Sequence, residues 1–208
     1  MSLWGRIFAS VYDRGLAAVE EAGLAERRRL LLAGARGRVL EIGGGTGANL
    51  AHYPSEVSEV VVTEPEEPMA RRLEAKLGGA RVPARVVRAP AERLPFGDGE
   101  FDVAVSTLVL CTVRDPARAL AEVHRVLRSG GRLLFLEHVR APDPGLARWQ
   151  DRLHPLWVRV GHGCHCNRPT LDLIERSPLE IERVERGEMR KAAPFVRPLI
   201  TGSAVAPS

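Results

Sequence analysis

The chain has 208 residues, 30 of them basic and 26 acidic, for a formal net charge of +4. This length suits one domain spanning residues 1–208, and no basic run suggests nucleic acid, so we expect a small-molecule substrate. Three cysteines are too few for a disulfide framework and no secretory pattern is present, which predicts a cytoplasmic setting.

Residues 1–36 are predicted to form a helical cap that precedes the first strand. Apolar residues recur at helical spacing, which indicates two helices between Leu3 and Ala33. Charged residues interrupt the first apolar stripe, so it cannot span a membrane, but it could lie on a membrane surface or close over a ligand. Tyr12 would sit on this cap, either as a packed aromatic or as a substrate contact.

A glycine-rich stretch follows the first predicted strand. Residues 39–50 read VLEIGGGTGANL, which indicates a strand, a tight turn and the start of a helix. Glycine lets the backbone turn sharply and lets a ligand lie against bare main chain, while the first N–H groups of a helix attract negative charge. The stretch therefore predicts a ligand site.

Two ligand classes fit this stretch. Gly43, Gly45 and Ala48 satisfy the dinucleotide fingerprint, and Glu64 lies about 20 residues further on, where it could hold a ribose. A nicotinamide cofactor and S-adenosylmethionine (SAM) are therefore both open. Glu41, close before the first glycine, would repel a pyrophosphate and attract the ammonium of a methionine-type ligand, which favours SAM.

The rest of the chain alternates short apolar strands with helices. Strands are predicted at Val57–Thr63, Arg85–Arg88, Phe101–Val105 and Arg132–Glu137, and helices at Pro68–Leu77 and Ala117–Leu127. The alternation implies an α/β fold with a parallel sheet, right-handed crossovers and helices on both faces. Ligands of such sheets bind outside the carboxyl ends of the strands. We expect one crevice there, faced by the glycine stretch, Glu64, the 89–96 loop, Ser106–Thr107 and Glu137–His138.

Several motifs together resemble the class I SAM-dependent methyltransferases, of the type that includes ubiquinone-pathway methyltransferases. They are E-x-G-G-G-T-G from Glu41, the acid Glu64 after strand two, A-x-R-L-P-F from Ala91, and H-R-V-L-R-S-G-G-R-L-L-F-L-E-H ending at His138. The resemblance implies a Rossmann-like, doubly wound, seven-stranded sheet, mostly parallel with an antiparallel last strand. Its C-terminal hairpin would use residues 179–186 and 199–205. SAM would be the methyl donor and S-adenosylhomocysteine the product.

A closer resemblance runs through almost the whole chain. The motifs G-T-G-A-N-L-A-H-Y-P, S-T-L-V-L-C-T-V, E-H-V-R-A-P and G-C-H-C-N-R-P-T are similar to the methyltransferase-like subgroup whose animal members methylate alkyl thiols. An alkyl thiol is therefore the favoured acceptor. The alternatives are C- or O-methylation of a quinone, phenol or lipid, a SAM-binding module without catalysis, and a nicotinamide-dependent oxidoreductase.

Three departures from these families matter, and the first is that Cys166 and Pro169 vary a segment expected to shape the acceptor pocket. The animal members carry an N-terminal hydrophobic anchor that has no counterpart in this sequence. Pro90 stands where the wider family has an aspartate before Ala91, so adenine recognition would rest more on main chain.

The resemblance also implies individual roles. Glu41 would face the amino group of the donor, and Glu64 would accept hydrogen bonds from the ribose hydroxyls. Pro65 and Met69 would lie along the adenine. The predicted SAM contacts are Glu41, Gly43, Gly44, Gly45, Gly47, Asn49, Glu64, Pro65, Met69, Ala91, Glu92, Ser106 and Thr107.

Catalysis by such an enzyme is mainly placement of a nucleophile, because SAM carries its own activated methyl group. A base is optional; His138 is the first catalytic candidate and Asp102 the second. Each has a structural alternative, His138 as a donor to a carbonyl and Asp102 as an acceptor of backbone N–H groups. Residues 139–178 are predicted to form a substrate lid. The predicted substrate contacts are Tyr12, Trp157, Cys164 and Arg168.

Four residues of this lid are of types that bind metals. They are His162, Cys164, His165 and Cys166. Their C-x-C and H-x-C spacings are too tight for an ordinary four-ligand zinc site, which prefers two or more intervening residues in each pair. The spacing therefore predicts no metal.

Overall fold

The computed structural model describes residues 12–207, which build a seven-stranded sheet. The strands are β1 Gly37–Ile42, β2 Val57–Thr63, β3 Ala84–Val87, β4 Phe101–Thr107, β5 Leu127–His138, β6 Glu180–Glu188 and β7 Pro198–Val205. Their spatial order is β3-β2-β1-β4-β5-β7-β6. β1 to β5 pair in parallel, whereas β7 is antiparallel to both β5 and β6. The predicted Rossmann-like sheet with an antiparallel last strand is confirmed.

Six helices accompany the sheet in the described part of the chain. They are α1 over residues 12–19, α2 Ala25–Leu32, α3 Glu67–Lys76, α4 Pro116–Val126, α5 Pro144–Val160 and α6 Thr170–Glu175. The side chains of Asp115 and Asp143 accept backbone N–H bonds at the starts of α4 and α5, and each is followed by a proline. An acceptor at the cap and a proline at the first helical position fix where these two helices begin.

Apolar side chains pack on both faces of the sheet, because successive residues of a strand point to opposite faces. Leu40 of β1 lies in one cluster with Leu120 of α4. Val39, its neighbour in β1, lies in the other cluster with Leu73 of α3. The central strands are thus buried on both sides, as a parallel sheet requires.

The helix predicted after the glycine stretch is not formed. Residues 45–52 make successive turns, one of them closed by a hydrogen bond from the N–H of Gly47 to the carbonyl of Gly44. Gly45 and Gly47 have φ angles of 56° and 85°. Such left-handed conformations do not fit a right-handed helix. The prediction of a helix N-terminus at this site is therefore wrong, and the loop itself supplies the N–H donors.

The N-terminal cap packs against the glycine stretch. α1 and α2 are joined by a π-helical turn, Glu20–Leu24, where Gly23 has a φ of 124° and the helix kinks. Asp13 of α1 accepts a hydrogen bond from the hydroxyl of Thr46 and pairs with Lys76 of α3. The described part of the cap is helical, as predicted.

The segment that the sequence predicts could lie on a membrane is mostly in residues 1–11, which are outside the described residues. Of the helices within residues 12–207, none is both long and apolar enough to cross a bilayer.

Residues 139–178 fold as α5, α6 and the loop between them. Gln150 of α5 is fully buried, and its hydrogen bonds hold this segment in place. Its amide nitrogen donates to the carbonyls of Val139, Cys166 and Phe195, and its oxygen accepts from the N–H of Ala141. The segment is thus tied to the end of β5 and to the chain that leads into β7. Its function as a substrate lid stays a prediction.

Candidate active site

The carboxyl edge of the sheet brings most of the predicted site residues together. β1, β2, β4 and β5 end there at Ile42, Thr63, Thr107 and His138. The glycine stretch follows β1, and Glu64 follows β2 directly. In doubly wound sheets this edge is where ligands bind.

The glycine stretch is held against Glu64. The N–H groups of Gly45 and Glu66 each donate to one oxygen of the Glu64 carboxylate, both at 2.8 Å. Burial raises the pKa of Glu64 to about 7, although the two N–H groups favour the ionised form. Each carboxylate oxygen has a further lone pair, so Glu64 can also accept hydrogen bonds from hydroxyl groups.

Two glycines show how the stretch is shaped. A Cβ at Gly43, whose φ is 57°, would lie 2.7 Å from a methyl carbon of Val109, so only glycine allows this close approach. At Gly45 no described atom lies within 4 Å of the Cβ position. Open space over bare backbone, beside a buried carboxylate, fits a ligand that contains a ribose. The residues present therefore fit the predicted methyl donor.

Glu41 lies beneath the loop with 2% of its surface exposed. One oxygen accepts from the amide of Asn49 at 3.0 Å and the other from the hydroxyl of Tyr53 at 2.6 Å. Burial raises the pKa of Glu41, and these two donors oppose the rise. Both oxygens of Glu41 are thus engaged by protein donors, and its predicted role toward the amino group of the donor stays a prediction.

A buried guanidinium completes this side of the site. Arg28 of α2 is 3% exposed and donates to the amide oxygen of Asn49 and to the hydroxyl of Thr107, both at 3.0 Å. It also pairs with Glu20. Asn49 and Thr107, two of the predicted SAM contacts, are therefore held by Arg28, which places a fixed positive charge next to the glycine stretch.

The predicted adenine contacts lie in the segments that follow β2 and β3. Met69 and Ala91 are 7% and 5% exposed, and Pro65 is exposed. The carboxylate of Glu92 accepts from the N–H groups of Arg114 and Asp115. The carboxylate of Glu92 thus holds the loop before α4 in place, which is a structural role.

Ser106 and Glu137 form a buried pair on adjacent strands. The Ser106 hydroxyl donates to Oε1 of Glu137 at 2.6 Å, and the N–H of Val109 donates to the same oxygen at 3.1 Å. Oε2 of Glu137 has no partner among the described residues. Burial, followed by the nearby Cys111, raises the pKa of Glu137 to about 7. The hydroxyl of Ser106, one of the predicted SAM contacts, therefore donates its hydrogen bond to Glu137.

Two thiols and an imidazole meet beside this pair, and we call Cys111, His138 and Cys164 the sulfur–imidazole cluster. Their ligating atoms all lie within 4.8 Å of one another. Nε2 of His138 lies 2.9 Å from Sγ of Cys164, and the indole N–H of Trp157 donates to the same sulfur at 3.2 Å. His138 and Cys111 are 4% and 2% exposed. The predicted catalytic residue His138 and the predicted substrate contacts Trp157 and Cys164 are thus brought together.

The pKa values of the groups in the cluster are shifted in different directions. A hydrogen bond from Cys164 and the neighbouring His138 hold the pKa of Cys111 well below its usual range, while the same shared hydrogen bond raises the pKa of Cys164. Burial alone would lower the pKa of His138, but the charge on Cys111 raises it. Tyr12 lies in the field of the same cysteines, and burial raises its pKa to about 12.

Asp102 and Arg168 do not take the roles predicted for them. Asp102 is the second residue of β4, at the opposite edge of the sheet, where it accepts from the N–H of Arg38 at 2.7 Å and pairs with Arg128. The catalytic prediction for Asp102 is therefore wrong, and its structural alternative describes it. Arg168 donates to the carbonyls of Leu110 and Val113, so it braces the loop that carries Cys111.

Four residues of this site were not singled out by the sequence pattern as site residues. They are Arg28, Tyr53 and Cys111, together with Glu137, which is expected only to face the crevice from the end of its strand. Only Glu137 carries a signal, because it ends a buried strand next to His138. The other three are recognised by burial and contacts alone.

The comparisons with known proteins agree with this fold. A family model described as a methyltransferase domain matches residues 40–135. The human thiol S-methyltransferase TMT1B is 40% identical over 180 residues, which cover 84% of this chain and 73% of that protein. Human thiol S-methyltransferase TMT1A is 35% identical, with 80% and 70% covered. The crystal structure of a SAM-dependent methyltransferase from Mesorhizobium loti is 27% identical at a TM-score of 0.63, covering 88% of this chain and 99% of that one.

Proposed function

Because this chain belongs to the family of SAM-dependent methyltransferases, we propose that it transfers the methyl group to the sulfur of a small alkyl thiol. The observation that carries the choice of a thiol is the 40% identity to a thiol S-methyltransferase over 84% of the chain. The buried sulfur–imidazole cluster at the carboxyl edge supports it, since it offers soft, polarisable surroundings to an acceptor sulfur.

The donor site follows from the residues at the glycine stretch. Glu64 would accept from the ribose hydroxyls, and the space over Gly45 would take the chain next to the ribose. Arg28 would pair with the carboxylate of the methionine portion, because a guanidinium matches a carboxylate in charge and shape. Buried Met69 and Ala91 would border the adenine. When bound, SAM supplies an activated methyl group on its sulfonium, so the protein need only align the acceptor.

A thiol suits a site that works by alignment. An alkyl thiol with a free pKa of about 8.5 is partly ionised near neutral pH, whereas an alcohol is not and would need a strong base. Holding two reactants in line can lower a barrier by about 7–11 kcal/mol. The residues around the cluster are suited to that positioning: Trp157 on one side, and Arg168, which holds the Cys111 loop, on the other.

The acceptor would lie at the cluster, against Trp157 and the rest of the 139–178 segment. Trp157 packs edge to face on Phe195 at 5.0 Å and so presents a fixed aromatic wall. Tyr12 on the cap is half-buried and lies in the electrostatic field of Cys111 and Cys164, which supports its proposed position beside the acceptor. An apolar alkyl chain would find apolar and aromatic contacts here.

An acceptor panel tests this proposal. Purified protein and SAM are incubated with a short alkyl thiol, a phenol, a reduced quinone and a phospholipid, and methylated products are identified by mass spectrometry. We expect the S-methyl product with the thiol and none with the others. A methylated phenol, quinone or lipid without any S-methyl product would overturn the thiol assignment and leave the methyltransferase family membership intact.

A further inference from the structure

The sulfur–imidazole cluster has the composition of a transition-metal site. Two thiols and an imidazole are the ligands that Zn²⁺ prefers, and three such protein ligands are the number that catalytic zinc sites use. We infer that Cys111, His138 and Cys164 bind one Zn²⁺, with the fourth position left open for the sulfur of the acceptor. The open position rests on the proposed function, whereas the three-ligand site does not.

The geometry is already close to what zinc requires. A zinc–sulfur distance of about 2.3 Å and a tetrahedral angle put two bound sulfurs about 3.8 Å apart. The three ligating atoms lie within 4.8 Å of one another, and Nε2 of His138 is 2.9 Å from Sγ of Cys164. Side-chain shifts of less than about 1 Å would therefore open space for the ion between them.

Main-chain contacts hold the three ligands in place. Cys111 and Cys164 come from different loops, but the N–H of His165 donates to the carbonyl of Cys111 at 2.9 Å and joins those loops. Arg168 adds two hydrogen bonds to carbonyls on either side of Cys111. His138 ends β5, where it pairs in register with Leu199 of β7. A site held by rigid elements in this way has its ligands preorganised.

The surroundings also suit a bound cation with two thiolates. The indole N–H of Trp157 donates to Sγ of Cys164, the kind of hydrogen bond that supports a metal-bound thiolate from outside the ligand set. Cys111 and His138 are almost fully buried. Zinc uptake would release two protons to solvent, because both sulfurs bind as thiolates and the imidazole binds in its neutral form, and the two thiolate charges balance the dication.

Of the four residues of metal-binding types in the lid sequence, only Cys164 belongs to the cluster. Cys166 is fully buried, but its thiol bonds to the carbonyl of Gln150, and His165 pairs with His154. Within residues 12–207 no other thiol, imidazole or carboxylate joins the three-residue group. The fourth position therefore has no protein ligand in this part of the chain. Catalytic zinc sites leave that position to water or substrate, and a thiol bound to zinc gives up its proton to the medium.

Metal analysis tests the ligand set without any activity assay. The chain is purified without an affinity tag under reducing conditions, reconstituted with Zn²⁺, desalted and analysed for zinc. We expect one zinc per chain in the wild type and in Cys166→Ser, the matched control, and less than about a tenth of that in Cys111→Ser and Cys164→Ser. Calorimetry with S-adenosylhomocysteine checks that each variant is folded. A zinc-free wild type, or zinc retained by both Cys111→Ser and Cys164→Ser, overturns the site.

Cobalt substitution tests the open position. Co²⁺ in the same protein reports its ligands through visible absorption, and a thiolate that joins it adds a sulfur-to-metal charge-transfer band. We expect a short alkyl thiol to change this spectrum in the wild type and the matching alcohol to leave it unchanged. An unchanged spectrum with the thiol overturns the acceptor position alone. If the thiol is no methyl acceptor but one zinc still binds, the proposed function fails and the metal site stands.

Discussion

The backbone N–H of Gly45 donates to the carboxylate of Glu64 at 2.8 Å, and this contact joins the two parts of the predicted donor site. Glu64 is 6% exposed, and burial raises its pKa to about 7. The carboxyl group is thus protonated below about pH 7 and ionised above it. Because ribose hydroxyls donate hydrogen bonds, the ionised form is the one that binds them.

Affinity for S-adenosylhomocysteine should therefore rise with pH. If only the ionised form of Glu64 binds well, the affinity increases about tenfold between about pH 6 and pH 8, and binding releases a proton near pH 7. Calorimetry in buffers of different ionisation enthalpy measures both quantities. Glu64→Gln should bind more weakly and lose the pH dependence; a wild type with equal affinity at both pH values would contradict this role.

Arg28 is expected to control affinity for the donor. Arg28→Met removes the buried guanidinium, and the loss of charged hydrogen bonds worth about 1.5–3 kcal/mol should weaken S-adenosylhomocysteine binding by about 10- to 100-fold. Arg28→Lys should retain part of the affinity. Arg29→Met is the matched control, since Arg29 is exposed and pairs with Glu26 at the surface. Circular dichroism checks folding, and equal affinity of Arg28→Met and Arg29→Met would remove Arg28 from the donor site.

Trp157 is expected to act on the acceptor and not on the donor. Trp157→Phe keeps the aromatic wall and removes the N–H that binds Cys164, so the KM for the thiol should rise by about 2- to 10-fold while the KM for SAM stays unchanged. Trp149→Phe is the control, because Trp149 is 57% exposed on the same helix. A parallel rise in both KM values would assign Trp157 to general packing.

Asp102 is expected to matter for stability alone. Asp102→Ala removes the acceptor of the Arg38 N–H and the partner of Arg128, which should lower the free energy of unfolding by about 1–3 kcal/mol. Asp102→Asn, which still accepts that N–H bond, should lose less. Urea unfolding measures the loss, and kcat of the folded variants should match the wild type. A large fall in kcat with normal stability would instead support a catalytic role for Asp102.

The sheet could be predicted because buried parallel strands are short apolar runs separated by helices. β2 is predicted and observed at Val57–Thr63. The turns after β1 could not be predicted, because the left-handed glycines depend on how closely Val109 and Leu73 approach the loop, which no local pattern states. Leu50 and its neighbours are compatible with a helix in sequence but not with that loop geometry.

The site is predictable where one residue marks a strand end and not where the fold joins distant segments. Glu64 and His138 belong to the first kind. Cys111 and Cys164 meet only because the 139–178 segment folds back over the end of β4. In the sequence Arg28 lies between Arg27 and Arg29, and nothing in the local pattern distinguishes it from them. Its burial, with 3% of its surface exposed, is what identifies it as a site residue.

The most direct test of the central claim is the ratio of kcat/KM for methyl transfer to an alkyl thiol and to the alcohol of the same chain length. Labelled SAM reports both reactions in one preparation, and calorimetry confirms donor binding there. We predict saturable transfer to the thiol and transfer to the alcohol at least about a thousandfold slower, since only the thiol ionises near neutral pH. Equal rates, or donor binding with transfer to neither, would contradict thiol S-methylation.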